Sequence, residues 1–331
     1  MAGKAPKAGA GPLYSCGVPD AVRPEQNGVA ATVGGGRSSR GAHFPFGFVT
    51  GFLDFLAAHR DRLEPITYAE LDWGEDYDGE GRYPEERRRW HELSKDLKAA
   101  GRAQVLVQHD VDARPSRTHA VVEAERERGI PASVMIFHRR VDRPRLKRRG
   151  ELALTDYPLD GDLLRAAQEE SFVIGYHFNA MERALWDQDR AQEIFVEDLG
   201  ALREQYAIEF VSAHGGVVGP GDSRNRHLVP PDMRALGVRW VHNGQSPRFT
   251  ANYSDGGLNG TKLDPAGRDL RDFIGTLKPG GRYRILLHPQ YYTAPWEPAP
   301  GLSGTPWYDD LLAAYAADPD TDSWAGVELS W

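Results

Sequence analysis

Five side chains close apolar stretches of this sequence and could work together in hydrolysis. Asp110 and Asp112 end VLVQHDVD (105–112), His177 lies in FVIGYHF (172–178), His214 ends IEFVSAH (208–214), and His288 lies in RYRILLHP (282–289). Side chains two apart on a strand face the same way, so Asp110 and Asp112 project together while His109 and Val111 point elsewhere. Two carboxylates that close raise each other's pKa unless a cation intervenes. A divalent metal relieves that repulsion, and histidines from neighbouring strands are natural co-ligands. Such a metal polarises a carbonyl and acidifies water, chemistry suited to breaking an amide C–N bond. Taken singly, each residue has a plainer reading. A lone strand-end histidine is more often structural, and a D-x-D pair can cap the following helix. Four strand ends coinciding set this constellation apart.

The stretches that position these residues alternate in character. From Gly101 onward, short apolar runs at 105–112, 132–137, 172–178, 208–214, 238–243 and 282–289 read as strands. TANYSD (250–255) reads as one more. Between them, helical patterns cover 116–129, 161–170, 189–206, 230–236 and 268–277. This alternation predicts parallel β units, hence a doubly wound sheet or a barrel. In such α/β architectures the active site lies at the carboxyl ends of the strands. Upstream, Phe48, Phe52, Phe55 and Leu56 recur at helical spacing, and a second helix is expected after Pro84, closing at Gly101. The expected layout is a disordered tail over 1–41, a helical extension over 42–100, the catalytic unit over 101–295 and a surface-wrapping segment over 296–331. The acidic residues Glu75, Asp76, Asp78 and Glu80 lack the spacing of a calcium loop and read as a solvated turn.

Composition narrows the class. The 331 residues carry a net charge of −8, with 40% hydrophobic and 27% charged residues, the balance of a globular enzyme. A nucleic-acid partner would call for a basic face, and none is apparent. No apolar run approaches the roughly 20 residues of a membrane span, and the amino terminus lacks the apolar core of a signal peptide. A cytoplasmic protein with a small-molecule partner is expected. The single cysteine, Cys16, leaves no intramolecular disulfide and no cysteine-rich zinc site.

HDVDARP, GYHFNAMER, SAHGG and ILLHPQYY together resemble the motifs of the NodB-type polysaccharide deacetylases of carbohydrate esterase family 4, in the branch whose first motif reads HDVD. The resemblance covers roughly 103–292, and weakly ITYAEL at 66–71. It implies a distorted, incomplete TIM-like (β/α) barrel holding one divalent metal, zinc foremost with cobalt, nickel or iron as alternatives. It also implies hydrolysis of an N-acetyl group from an amino sugar. Carried across, Asp110 is the general base, Asp112 and His177 bind the metal, and His288 is the general acid. The chain departs from the family where its second motif has another metal histidine: that position holds Met181, a poor zinc ligand. The arginine-proline-tyrosine motif is likewise replaced by His214-Gly215-Gly216. His214 is the expected third ligand, with Asn179 as runner-up and His109 disfavoured by its strand parity.

Backbone N–H groups of Gly215 and Gly216 are candidate oxyanion donors, since missing side chains allow close approach. Asp255 and Arg114 are candidates to orient His288 and Asp110 or to meet substrate; their plainer readings are a turn former and a solvated helix start. Asn179 and Tyr291 complete the expected substrate contacts, Tyr291, Tyr292 and Trp296 being able to stack on a sugar or to pin the tail. His119 is expected at the surface, His138 on a loop or in the cleft, and His242 in a core or loop role. The basic run 139–149 reads as a solvated face. The leading expectation is a metal-dependent deacetylase acting on a small or nucleotide-linked N-acetyl sugar or a related biosynthetic intermediate. Alternatives are an amidase or cyclic-amide hydrolase on a non-sugar metabolite, because fold does not fix substrate, and a non-catalytic carbohydrate-binding relative. Oligomeric state is not legible.

Overall fold

A computed structural model of the chain describes residues 44–75, 83–229, 231–241, 247–255, 269–293 and 306–331. The expected tail with Cys16, most of the acidic turn, His242 and Trp296 lie outside the described residues. In chain order the elements are β1 (Phe44–Pro45), α1 (Phe46–Ala58), β2 (Leu63–Ile66), α2 (Pro84–Ala99), β3 (Ala103–Asp110) and α3 (Pro115–Arg128). Next come β4 (Ser133–Ile136), β5 (Arg140–Val141), α4 (Arg143–Arg149), β6 (Leu154–Thr155), α5 (Gly161–Glu169) and β7 (Val173–Phe178). The chain continues with α6 (Ala180–Arg183), α7 (Gln188–Arg203), β8 (Phe210–Ala213), β9 (Arg239–Trp240) and β10 (Ala251–Ser254). It ends with α8 (Leu270–Gly275), β11 (Arg282–Leu287), β12 (Tyr292–Thr293) and α9 (Pro306–Ala317).

Eight strands form one parallel sheet in the order β10-β11-β3-β4-β7-β8-β9, with β2 also on β3, curled into a half-barrel. Every residue of β3 is buried, as a central parallel strand covered on both faces requires. One edge of β3 is shared: Ala103–Leu106 pair with β2, and Gln108–Asp110 pair with β4. Alternation then sorts the apolar side chains by face. Leu106, Met135, Val173 and Phe210 gather with Ile66, Tyr68 and Trp73 in one cluster. Their strand neighbours Val105, Val107, Val134, Ile136, Ile174 and Val211 join the larger core, shared with residues of α1, α3, α5 and α7. Gly175 in β7 lies against the Met135 sulfur, where a Cβ would collide.

The helices start and stop where their sequences specify. Pro115 opens α3, where its missing N–H costs nothing, and Gly129 closes it at φ 61°. Asp160 and Asp187 cap α5 and α7 by accepting from first-turn backbone N–H groups. At the amino-terminal end of the sheet an ion pair is buried. Arg282 donates to Glu86 of α2 at 2.6 Å and to Gln104 at 3.1 Å, its guanidinium 4.1 Å from the Trp90 ring centre.

Two expectations change. Residues 232–237 form turns instead of the end of a helix: Asp232 accepts from the N–H groups of Arg234 and Ala235, and Gly237 at φ 63° ends the turn. Of the expected strand over 238–243, residues 238–241 are described, and among them the strand is Arg239–Trp240, β9. The segments flanking residues 101–295 join the same fold. The helical extension supplies β2 to the sheet, and the carboxyl-terminal segment buries Leu311, Tyr315 and Trp324. Trp324 packs on Phe48, Phe52 and Phe55 and donates from Nε1 to the Phe48 carbonyl at 2.8 Å.

Candidate metal centre

The carboxyl ends of β3, β7, β8 and β11 converge. Asp112 Oδ1 stands 3.4 Å from His177 Nε2 and 3.4 Å from His214 Nε2. One ligand atom from each of the three residues lies within 4.8 Å of the others. A tetrahedral zinc site with bonds of about 2.0–2.2 Å has ligand atoms about 3.3–3.6 Å apart, so the observed spacings fit one ion. Asp112 Oδ1 and His214 Nε2 are buried, and neither has a hydrogen-bond partner among the described residues. Two such orphans aimed at one point are the donor pattern of a cation site. Asp112, His177 and His214 could therefore hold one metal ion, the set expected from the sequence with His214 as third ligand.

Each histidine presents Nε2 because Nδ1 is directed elsewhere. His177 Nδ1 lies 2.8 Å from Ser212 Oγ, which faces it across the β7–β8 pair. His214 Nδ1 points at Glu182, 3.6 Å from Oε2. Phe137 packs against both rings, stacked on His177 with centroids 5.2 Å apart and edge-on to His214 at 4.9 Å. Arg140 Nε donates to the Asp112 carbonyl at 2.8 Å, and the Tyr157 hydroxyl donates to the Val111 carbonyl at 2.6 Å. These two bonds fix the chain just beyond β3. Burial by itself would raise the Asp112 pKa. The charge of His214, the approach of both imidazoles and the charge of His288 outweigh it and hold the carboxyl well below its usual range.

Asp110 lies beside this group. Its Oδ1 accepts from Gln108 Nε2 at 2.7 Å, and its Oδ2 is 3.7 Å from His177 Nε2. Gln108 is held in turn by the Tyr68 hydroxyl, which donates to its Oε1 at 2.6 Å. Opposite, His288 Nε2 is 3.9 Å from Asp112 Oδ2. Its Nδ1 and Asp255 Oδ1 are 2.5 Å apart, while its backbone N–H donates to Asp255 Oδ2 at 2.8 Å. The Tyr292 hydroxyl also donates to Asp255, at 3.0 Å. Burial would lower the His288 pKa, but the Asp255 charge and hydrogen bond, with Asp112 and Asp110 behind them, push it up to about 10.

The remaining expected residues spread out. Asp255 is fully buried behind His288. Tyr291 is buried with its ring 5.4 Å from the His288 ring. Asn179 is buried and donates to the Arg139 carbonyl at 2.9 Å. Arg114 is exposed at the start of α3 with φ 51°. Gly215 is exposed, with open space where a Cβ would stand. Gly216, at φ 59°, is packed against Glu182 and Asn225, so a reason for glycine there lies inside the protein. Met181 is buried in the larger core cluster. His109 points to the helical side and meets Glu125 at 2.7 Å. His138 meets Asp198 at 2.7 Å, and His119 accepts from the Asp160 N–H at 2.9 Å.

Sequence reasoning missed Ser212, Gln108, Phe137 and Glu182. The first two stand two residues before His214 and Asp110 on the same faces, so strand alternation could have found them. Compared with protein-family models and with curated proteins, the chain matches none. Among the described residues no helix is long and apolar enough to cross a membrane.

Proposed function

We propose that this chain is a metal-dependent hydrolase of amide C–N bonds, removing an N-acetyl group from a small or nucleotide-linked amino sugar or a related biosynthetic intermediate. The observation that carries the reading is the convergence of Asp112, His177 and His214 on one point, flanked by Asp110 and His288. The sugar and the acetyl group rest on the resemblance to NodB-type deacetylases; the amide chemistry rests on the residue types.

A divalent ion held by Asp112, His177 and His214 would polarise the amide carbonyl and acidify a water molecule. Asp110 accepts the proton that this water gives up as its oxygen bonds to the carbonyl carbon. Gln108 and Tyr68 hold the carboxylate in place for that transfer. His288 delivers a proton to the nitrogen as the C–N bond breaks, so that an amine departs instead of an amide anion. Asp255 anchors the ring through Nδ1, leaving Nε2 directed to the cleft. A carboxylate and an amine result.

The test is acetate release from a panel of N-acetyl sugars, nucleotide-linked N-acetyl sugars and non-sugar amides, before and after chelation and zinc re-addition. Metal-dependent acetate release from an amino sugar is the expected result. Hydrolysis confined to cyclic or non-sugar amides would refute the sugar assignment, and undiminished turnover after complete chelation would refute the metal-dependent reading.

A further inference from the structure

We infer that Glu182 is a positioning residue for His214, turning the imidazole so that Nε2 faces Asp112 and His177. The inference rests on reading those three residues as a metal site. Glu182 is fully buried on α6, five residues after His177. Its Oε1 accepts from the Val217 N–H. Its Oε2 faces His214 Nδ1 at 3.6 Å, and neither atom has a hydrogen-bond partner among the described residues. A buried carboxylate oxygen and a buried ring nitrogen, each otherwise unsatisfied and facing each other, make a natural acceptor and donor.

The surroundings are built to bring them together. The Glu182 N–H donates to Asn225 Oδ1 at 3.2 Å, and Asn225 Nδ2 donates to the His214 carbonyl at 3.2 Å. Asn225 thus ties the start of α6 to the backbone of the ligand itself. Gly216 completes the arrangement: a Cβ there would collide with Glu182 Oε1 and stand 2.6 Å from Asn225 Nδ2. A carboxylate accepting from Nδ1–H leaves the lone pair on Nε2, the form a metal requires. Ser212 occupies the corresponding place beside His177. The family position that would have carried a second histidine is Met181, and the adjacent residue instead supports a histidine from the next strand.

The decisive variant is Glu182→Gln. Its amide oxygen can still accept from Val217 N–H, which obliges the NH2 group to face His214 Nδ1. A donor there favours the tautomer with the proton on Nε2, which blocks ligation. Zinc affinity, measured by competition with a chromophoric chelator, is expected to fall about 10–100-fold, while the melting temperature of the metal-free protein changes little. The visible absorption of bound cobalt(II) should shift. In a His214→Ala background, Glu182→Gln should cause no further loss, because the partner through which it acts is gone. Unchanged zinc affinity in Glu182→Gln, or an equal loss with and without His214, would overturn the inference. A wild-type protein that binds no zinc would instead overturn the metal reading beneath it.

Discussion

Replacing Asp198 by Asn tests how the helical layer holds the site. Asp198, on α7, is 1% exposed and takes three donors. The Tyr176 hydroxyl reaches Oδ2 at 2.7 Å, His138 Nδ1 lies 2.7 Å from Oδ1, and Arg183 pairs with Oδ2. Breaking a buried ion pair on one side costs about 3–5 kcal/mol. The amide can still accept, so the lower end, about 3 kcal/mol, is expected. An unfolding entropy near 2.1 cal/mol/K per residue gives roughly 0.6 kcal/mol/K for about 290 residues, hence a melting point about 5 °C lower. Burial would raise the Asp198 pKa, but His138, Arg183 and Tyr176 together hold it below the ordinary carboxyl value. A depressed carboxyl pKa stabilises the fold above the unfolded value and loses that contribution as pH falls through the folded one. Urea unfolding of both proteins should therefore show a gap that does not narrow from pH 7 to 5 and narrows only below about pH 4. Arg183 adjoins Glu182 on α6, so zinc affinity should weaken as well. A gap under about 1 kcal/mol at pH 7, the scale of an exposed pair, or one that already narrows by pH 5, would refute this reasoning.

How much was legible follows from which residues obey a local rule. The strands bearing Asp110, His177 and His288 announced themselves as apolar runs, and their period of two placed Asp110 with Asp112 and turned His109 outward. His214 was reached because it ends the next strand after the one bearing His177, and β8 pairs with β7 in the sheet. An apolar run does not reveal how many of its residues find a pairing partner; among the described residues 238–241, β9 pairs at two positions. Glu182 obeys no such rule. It lies on a single helical turn, and its partners Val217 and Asn225 come from a loop 35 and 43 residues away. Gly216 was legible as a glycine but not for its reason, because side chains crowding a Cα from another segment leave no local trace. Trp324 is the same case at larger scale, a long-range burial against α1 inside a segment whose composition suggested surface.

Three further substitutions probe the two ends of the half-barrel. Glu86→Ala strands the Arg282 guanidinium, 2% exposed, and should cost about 3–5 kcal/mol in urea unfolding; a loss below about 1 kcal/mol would show that Gln104 and Trp90 suffice. Asp110→Asn and Asp112→Asn should divide by function, with zinc titration and turnover measured on each. Asp112 Oδ1 is an orphan 3.4 Å from both imidazoles, so its loss removes a ligand, and metal and turnover should both go. Asp110 Oδ1 is already engaged by Gln108. Its replacement should leave zinc bound while turnover falls about 10²–10⁴-fold, the contribution of a positioned base. Asn cannot accept the proton, yet it keeps the size and one acceptor of the original side chain, so a collapsed site would not account for the loss. Equal loss of zinc from both variants would mean that both carboxylates ligate, and the proton acceptor would then have to be sought elsewhere in the cleft.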